Sequence, residues 1–374
     1  MPALKTLYRK RTLFLFISIS LFVICLTVFV NFVNNYIKND YLGDYHSESH
    51  LGVYNRYAVS TDSSQCAHIG KQILDSNGTA ADAAIAVMLC MGVTIPHSMG
   101  LGGGCLILVY NSTTKQTVVI DGREEAPKES HRDLFANISC DPRLPLSIGV
   151  PGELAGYWDD VVSKPAELTS VEKLPRGNYT LHSFPLPGSG DLLAFMLKVM
   201  EQYEDDMNHK TGKSLNKTTL FYHRLIETFK LAFSRRTLLE EDTDYNNPFV
   251  KQLTSDEFAK ETKDLIDDSK TFPIKSERYG NNIYITEDKG TAHVSVIDGE
   301  GNAVAVSSSI GQIFGSKIYS KRTGIILNDQ LFDFKVDYQK YKYPANETNL
   351  INPSDSLGAS SLPSMTTVCF VVEL

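Results

Sequence analysis

The feature that most constrains this chain is an uncharged, apolar run close to its N-terminus. Residues 13–30 read LFLFISISLFVICLTVFV, and Phe32 and Val33 extend the run. A helix of this length, at 1.5 Å per residue, reaches across the hydrocarbon core of a bilayer. We therefore predict a transmembrane signal anchor over residues 12–33. A cleaved signal peptide is the alternative, but the run is long for one and no small-residue cleavage site follows it.

The charges around this run predict how the chain lies in the membrane. Lysines and arginines without an acid precede the run, whereas mainly acids follow it. Because the positive flank stays in the cytoplasm, we expect a cytoplasmic tail over residues 1–11 and a polar stem over residues 34–57. The rest of the chain is then extracellular, in a single-pass type II protein of the plasma membrane.

N-x-S/T sequons agree with a secretory route, although a single tripeptide is common by chance. They begin at Asn77, Asn111, Asn137, Asn178, Asn216 and Asn346. Asn77 also stands at the start of a helical stretch, where capping is the simpler role, so we expect N-glycans at the other five.

The charge and cysteine patterns limit the partners and cofactors. With 36 lysines and arginines against 44 aspartates and glutamates, the chain has no basic stripe, so we expect no nucleic-acid partner. Of six cysteines, Cys25 lies in the apolar run, and none forms Cys-x-x-Cys. The chain also has no His-Glu-x-x-His and no calcium-loop pattern. We predict one or two disulfides, no metal and no cofactor.

Hydrophobic patterning predicts a mixed α/β fold from about Ala58 onwards. Residues 79–90 are alanine-rich and apolar on nearly every face, which indicates a buried helix. Its cap is expected to be Ser76, Asn77 or Thr79. Other helices are predicted over about 191–203, 220–239 and 254–268. Strands are predicted over 105–110, 116–120, 291–297, 302–309 and 324–328, with a strand-like run at 368–374.

A glycine-rich run, SMGLGGG, spans residues 98–104. It suggests a dinucleotide-binding loop, but such a loop follows a strand and opens a helix. This run instead follows a predicted helix and opens a predicted strand. We therefore expect its glycines to let backbone segments pack closely against one another.

Thr291, within Lys-Gly-Thr-Ala-His at 289–293, is the residue that most suggests chemistry. A threonine hydroxyl is a weak nucleophile. If the bond before it is cut, however, the freed α-amine lies close by and serves as its base. Gly290 gives the backbone the freedom that such self-cleavage requires. From this pattern alone, a threonine that starts a strand after a glycine is usually structural.

Several sequence blocks extend the argument, because together they resemble the γ-glutamyltransferase family, also called γ-glutamyl transpeptidase or glutathione hydrolase. The blocks are AVSTDSSQCAHIGKQILDSNGTAADAAIAVMLC, HSMGLGGG, REEAP, GVPGE, GTAHVSVID, FGSKI and GIILNDQLFDF. They occur in the family's order and cover most of the chain outside the stem. The resemblance implies the N-terminal-nucleophile hydrolase fold, an αββα sandwich, here incomplete and preceded by one transmembrane helix.

The resemblance also implies an activity and a set of partners. The family cuts itself before the threonine of its GTAH-like block. That cut would divide this chain into a large-subunit-like part, 58–290, and a truncated small-subunit-like part, 291–374. The two chains stay together as a heterodimer and take a γ-glutamyl group from glutathione or a related γ-glutamyl compound. The acceptor is water, an amino acid or a dipeptide.

Site residues follow from matching each block to the family. Thr291 matches the nucleophile, and Ser309 matches the hydroxyl that supports it. Arg123 matches the arginine that grips the glutamyl α-carboxylate, a role that suits the guanidinium fork. Gln330 and Asp333 match the pair that holds the α-ammonium. Without the resemblance, Arg123 would be interpreted as half of a surface ion pair with a neighbouring glutamate, and Asp333 as a solvated loop acid.

The resemblance also implies one disulfide, and the chain departs from the family at several other positions. Cys66 and Cys90 match a pair that is bonded in animal members. Gly311 replaces an asparagine that contacts the substrate, and Ser364 keeps only one of two serines that contact the substrate carboxylate. A helical segment of the large subunit is expected to be deleted near residues 163–173, and the glycine pair of the oxyanion hole would lie beyond the last residue.

These departures leave other interpretations open. One is a catalytically inactive, truncated, membrane-anchored relative of the family, or a splice or gene-model fragment. A receptor or adhesion ectodomain also fits the anchor and the sequons, but it explains none of the blocks. Self-cleavage between Gly290 and Thr291 separates the enzyme from the inactive chain.

Overall fold

The computed structural model of the 374-residue chain consists of two units, one within Met1–Tyr54 and one within Asn55–Leu374. The described residues are 24–31, 52–130, 143–162, 170–173, 179–185, 188–203, 215–236, 239, 248–273, 276–280, 290–331 and 370–373. In the first unit, residues 24–31 form a helix. No helix in these described ranges is both long and apolar enough to cross a membrane. The rest of the predicted anchor lies outside them, so the anchor stays a prediction.

The second unit alternates helices and strands along the chain. In order these are β1 (Ala58–Thr61), α1 (Ser64–Asp75), α2 (Ala80–Thr94), β2 (Gly104–Asn111), β3 (Gln116–Gly122), α3 (Glu153–Val162), β4 (Ser170–Lys173), β5 (Thr180–Ser183), α4 (Gly190–Glu201), α5 (Leu215–Arg236), α6 (Pro248–Leu253), α7 (Asp256–Asp264), β6 (Thr291–Ile297), β7 (Ala303–Ser309) and β8 (Phe370–Glu373). The buried helix and the two long helices lie where the hydrophobic patterning predicts them.

Five strands form the central sheet in the order β1–β6–β7–β2–β3. Every neighbouring pair is antiparallel, and the two predicted hairpins, β2–β3 and β6–β7, build most of the sheet. Strand β7 also pairs with β2, which sets Gly104 opposite Ser309. On its other side, β7 sets Ser309 opposite Thr291. The register therefore brings the start of β6 to the end of β7.

One face of the central sheet packs against α1 and α2. Alternate residues of the strands, such as Ile107, Val294 and Val306, lie in one buried cluster with Val87 and Met91 of α2. Because side chains alternate between the faces of a strand, the residues between them point to the opposite side. Thr291 and Ser309 belong to that opposite set.

The opposite face packs against a second sheet of three strands, in the order β4–β5–β8. Leu106, Leu108 and Ala305 of the central sheet cluster with Phe184, which directly follows β5. Helix α4 contacts β4 and β5, and it shares a buried cluster with α5, α6 and α7. The layers therefore run helix, sheet, sheet, helix, which confirms the predicted α/β class.

Two predicted elements differ in the structure. The helix predicted over 254–268 is the shorter α7, which begins after Ser255 because the Ser255 hydroxyl caps it, and α6 precedes it as an additional helix. The strand predicted over 324–328 forms only an isolated bridge, between Ile326 and Tyr319. Helices α1 and α3 are additional, since their short patterns did not stand out in the sequence.

The cap of α2 is Thr79 rather than either of the other candidates. Its hydroxyl accepts the N–H of Asp82 at 3.2 Å, and the Asp82 carboxylate accepts the N–H of Thr79 at 2.9 Å. This reciprocal capping box satisfies two N–H groups at the helix start. Asn77 instead has φ 63° in the turn before the helix.

Helices α1 and α2 are joined by the Cys66–Cys90 disulfide, with 5.6 Å between the Cα atoms. This bond confirms the pairing that the family resemblance implies. Cys105 is buried and Cys25 is exposed, and neither belongs to a disulfide among the described residues. Cys140 and Cys369 lie outside the described residues.

We expect the paired substitution of Cys66→Ser and Cys90→Ser to lower the free energy of unfolding of the second unit. The loss is about 2–4 kcal/mol, because the bond restrains the unfolded chain. Denaturant titration followed by circular dichroism measures it. Reductant should destabilise the unaltered protein similarly and leave the double variant unchanged. Equal stability of the two oxidised proteins would contradict this expectation.

Candidate active site

The candidate site is centred on Thr291, the first residue of β6. Its partner across the sheet is Ser309, the last residue of β7, so both side chains lie on the face that meets the second sheet. The Thr291 hydroxyl oxygen is buried and has no hydrogen-bond partner among the described residues. A buried hydroxyl without a partner is unusual in a folded protein, and it fits a group that is held ready for reaction.

Ser309 connects the start of β6 to the turn that follows β7. Its hydroxyl donates to the carbonyl oxygen of Gly290 at 2.6 Å and accepts the N–H of Gly311 at 2.9 Å. Ser309 is almost completely buried, so both bonds form away from water. The Gly290 carbonyl belongs to the peptide bond that precedes Thr291. The predicted supporting hydroxyl therefore touches the bond that self-cleavage would break.

Two glycines make this approach possible. A Cβ atom on Gly290 would lie 2.4 Å from the carbonyl oxygen of Gly311, which is too close for any side chain. Gly311 has φ +90°, and a Cβ there would lie 2.0 Å from a carboxylate oxygen of Asp329. The Asp329 carboxylate therefore fills the space that a side chain at position 311 would need.

Asp329 and Gln330 converge on Gly311 from the segment after Ile326. Both are almost completely buried, and the Asp329 carboxylate accepts the N–H of Gln312 at 2.9 Å. Neither polar atom of the Gln330 amide has a hydrogen-bond partner among the described residues. Leaving such a group unpaired costs about 1–3 kcal/mol.

Asn328 fixes this segment against the glycine-rich run. Its side-chain N–H groups donate to the carbonyl of Gly102 at 2.7 Å and to that of Gly149 at 2.9 Å. Its side-chain oxygen accepts the N–H groups of Gly149 and Gln330. A Cβ on Gly102 would lie 1.8 Å from the Ile326 carbonyl oxygen, so the run does bring backbones together as predicted.

Arg123 and Glu124 follow β3 and are both buried. The Arg123 Nε atom lies 3.7 Å from a carboxylate oxygen of Glu124. Arg123 therefore does pair with a neighbouring glutamate, as the alternative interpretation expects, but the pair is buried and does not lie on the surface. Burial raises the pKa of Glu124 to about 7, although the Arg123 charge opposes the shift. This pair lies close to the site. Gly104 stands opposite Ser309 in the central sheet, and a Cβ on Gly104 would lie only 2.7 Å from Glu124.

His293 is two residues from Thr291, on the same face of β6. One ring nitrogen lies 2.7 Å from the Ser307 hydroxyl and the other 2.9 Å from the Ser295 hydroxyl. Burial lowers the pKa of His293, against the opposing charge of Asp62. With both ring nitrogens engaged, the imidazole is not aimed at Thr291. A general base for Thr291 must therefore come from elsewhere.

The remaining predicted residues divide into described and undescribed positions. Asp333 and Ser364 lie outside the described residues. Of the five predicted glycan sites, Asn111 is exposed, and its side chain accepts the N–H groups of Thr113 and Thr114 at 2.9 Å each. Asn216 lies in α5, where its side chain is not described. The other three sites lie outside the described residues, and glycosylation stays a prediction throughout.

Sequence reasoning gives no role to three buried acids around the site: Glu124, Glu153 and Asp329. Each stands inside a block that carries the family resemblance, namely REEAP, GVPGE or NDQLFDF. Their places within these blocks are the only feature of the sequence that marks these three acids as candidates for the site. Their burial depends on contacts between distant segments, which spacing along the chain does not reveal.

Comparisons with known proteins agree with this geometry. The family described as gamma-glutamyltranspeptidase matches residues 66–164 and 168–368. Scoloptoxin SSD14 of Scolopendra dehaani is 30% identical over 438 residues, covering 85% of this chain and 74% of that protein. Glutathione hydrolase 5 proenzyme of Mus musculus is 27% identical over 402 residues, covering 75% and 69%.

Among solved structures, cephalosporin acylase from Bacillus halodurans aligns with a TM-score of 0.61. The alignment covers 88% of this chain and 78% of that one, at 17% sequence identity. At this low identity the likeness shows a shared fold. The layers described above are therefore those of a solved acylase.

We expect Gly311→Ala to destabilise the protein more than Gly324→Ala. Both glycines have positive φ, but an added Cβ meets Asp329 at position 311 and nothing within 4 Å at position 324. The backbone strain, about 1–3 kcal/mol, is common to both variants, so the difference reports the collision. Denaturant titration measures it. Asp329→Ala should reduce the cost of Gly311→Ala, and equal costs of the two alanine variants would contradict the packing described here.

Proposed function

We propose a function that follows from one fact: this chain belongs to the gamma-glutamyltranspeptidase family. The proposed reaction removes the γ-glutamyl group from glutathione or a related γ-glutamyl amide. The group passes through an ester on Thr291 to water, an amino acid or a dipeptide. The observation that carries this proposal is the contact of Ser309 with the Gly290 carbonyl, beside the unpaired Thr291 hydroxyl.

The first proposed step is self-cleavage. The Thr291 oxygen attacks the carbonyl carbon of Gly290, a C–O bond forms, and the peptide C–N bond breaks as the hydroxyl proton passes to the nitrogen. Ser309 donates to the carbonyl oxygen at 2.6 Å, which stabilises the negative charge that develops there. Water then hydrolyses the ester. The products are a carboxylate on Gly290 and a free amine on Thr291.

The freed amine supplies the general base for turnover. It is bonded to the same Cα atom that carries the Thr291 hydroxyl side chain, so no other residue needs to approach. The engagement of both His293 ring nitrogens by serine hydroxyls supports this assignment. The large and small chains that result, 58–290 and 291–374, would stay together through the β1–β6 and β2–β7 pairing.

Substrate contacts are proposed by matching this chain to the family. Arg123 is proposed to bind the glutamyl α-carboxylate, and Gln330 with Asp333 the α-ammonium. The unpaired, buried amide of Gln330 supports its part in this assignment. Ser364 is proposed to contact the substrate carboxylate. Gly311 offers no side-chain contact of its own, since its position lacks the family's asparagine.

Membrane anchoring is part of the same proposal. Residues 12–33 would form the anchor of a single-pass type II protein at the plasma membrane, with the active site outside the cell. The described helix at 24–31 supports this, because Val28 and Phe29 are each 63% exposed. Apolar side chains with this exposure are unfavourable in water and favourable in lipid.

A second candidate is a family member that folds without turnover. The family match is interrupted between residues 164 and 168, directly after α3. Leu154 and Trp158 on α3 are 62% and 64% exposed, as expected where a covering segment is missing. The Scolopendra dehaani alignment runs over 438 residues, more than the 374 of this chain, so that relative contains segments without a counterpart here.

Self-cleavage distinguishes the two candidates, and Ser309 variants test its mechanism. We expect Thr291→Ala to leave the chain uncut and without activity on γ-glutamyl-p-nitroanilide. Ser309→Ala should slow the cut about 10²–10³-fold, because one donor to the developing oxyanion is lost. Intact-mass measurements over time follow the cut.

Ser309→Thr is the matched control, since it keeps the hydroxyl and should cut at close to the original rate. An unaltered chain that stays whole and releases no p-nitroaniline would support the inactive candidate. A Thr291→Ala chain that is still cut after residue 290 would show that the nucleophile is assigned wrongly.

A further inference from the structure

Glu153, the first residue of α3, is completely buried beneath the central sheet. One carboxyl oxygen accepts the hydroxyl of Ser308 at 2.7 Å, and the other bonds the hydroxyl of Tyr157. Its backbone N–H donates to the Gly103 carbonyl at 3.1 Å. Two side-chain contacts therefore fix this carboxyl group between the helix and the sheet, and the backbone bond fixes the start of the helix.

Ser308 connects Glu153 to the candidate active site. It precedes Ser309 in β7 and pairs with Ala292, the residue after Thr291. Neighbouring residues of a strand point to opposite faces, so Glu153 holds β7 from the side of α3 while Ser309 faces the reacting carbonyl. The two contacts are one residue apart on the same strand.

We propose that Glu153 is a positioning residue: its carboxyl group holds the end of β7 through Ser308 so that Ser309 stays on the Gly290 carbonyl. This inference rests on the proposed self-cleavage, whose geometry it refines. The carboxyl acts through Ser308 and touches neither Thr291 nor the substrate. Ionisation would strengthen the two hydroxyl bonds but leave a buried charge without a counter-ion, and the cost of that charge favours movement of the carboxylate towards water and away from the strand.

The surroundings of Glu153 favour its neutral form. Burial raises its pKa to about 8, with the bonds from Tyr157 and Ser308 opposing the shift and the Glu124 carboxylate adding to it. Of the elements that pack on α3, β2 contributes the Cys105 thiol, whose Sγ lies 3.9 Å from the Glu153 carbonyl oxygen. Near the end of β3 are Asp121, Arg123 and Glu124. The side of α2 that shares a groove with Tyr157 is apolar.

The neutral form predicts a particular dependence of stability on pH. Between the ordinary pKa of a glutamate and a pKa of about 8, the unfolded carboxyl is charged while the folded one keeps its proton. The folded state then binds more protons, so stability falls as the pH rises through this range. Glu153→Gln removes this contribution, because an amide stays neutral at every pH in the range.

The test compares Glu153→Gln with Glu153→Ala in the full chain. At neutral pH we expect the glutamine variant to cut at close to the original rate. The alanine variant should cut about tenfold more slowly, as for the loss of one hydrogen bond at the strand end. Above pH 8 the unaltered chain should slow relative to the glutamine variant. Intact mass from pH 6 to pH 9 follows these rates.

Ser308→Ala shows whether the effect passes through Ser308. If it does, the Glu153→Ala and Ser308→Ala changes together slow the cut no more than either change alone. Additive effects would overturn the proposed route. They would mean that Glu153 acts on the whole fold and not on this strand end.

Unfolding measurements keep the inference separate from the proposed function. If the unaltered chain is cut, and Glu153→Gln follows the same pH profile, the inference fails while self-cleavage stands. If the unaltered chain is never cut, self-cleavage fails. The role of Glu153 is then judged from denaturant titrations at pH 6 and pH 9. Glu124 contributes a loss to both proteins, so an equal loss of stability in the unaltered chain and Glu153→Gln overturns the role of Glu153, and a larger loss in the unaltered chain supports it.

Discussion

The hydrogen bond from the Ser309 hydroxyl to the Gly290 carbonyl is the interaction on which the site depends. It exists because the β6–β7 register sets Ser309 opposite Thr291 and because Gly290 leaves room for the Gly311 backbone. A shift of β6 by one residue against β7 would move the Thr291 hydroxyl to the face that packs against α1 and α2 while Ser309 stayed on the opposite face. The long antiparallel pairing of the central sheet therefore does more than build the core. It also holds the Thr291 hydroxyl, the Ser309 hydroxyl and the Gly290 carbonyl close to one another.

Much of the fold is predictable because its signals are local. The strands β6 and β7 alternate small or apolar residues around a short turn, and α2 is an alanine-rich run with a capping box that begins at Thr79. Helices α1, α3 and α6 give weaker patterns and are missed, and the helix predicted over 254–268 is the shorter α7. The layer order depends on contacts such as Phe184 with Leu108, which join segments far apart in the chain. No short window of sequence contains that information.

The candidate site shows the same division. Thr291 and Ser309 are predicted from the sequence because they match positions of the family, and the structure places them opposite each other. Arg123 comes from the REEAP block as a predicted substrate contact, but its burial is not predicted, since burial follows from α3 packing over the end of β3. The acids Glu124 and Glu153 look like ordinary charged residues in the sequence. Only the folded chain removes them from water and raises the pKa of each.

If scission of the backbone turns Thr291 into both nucleophile and base, the purified chain must yield a smaller product whose first residue is Thr291. N-terminal sequencing of that product identifies the residue. We expect a sequence that begins Thr-Ala-His-Val-Ser, which occurs only when the bond after Gly290 has been cut. A smaller product that begins at any other residue, or a chain that stays whole after prolonged incubation, would contradict it.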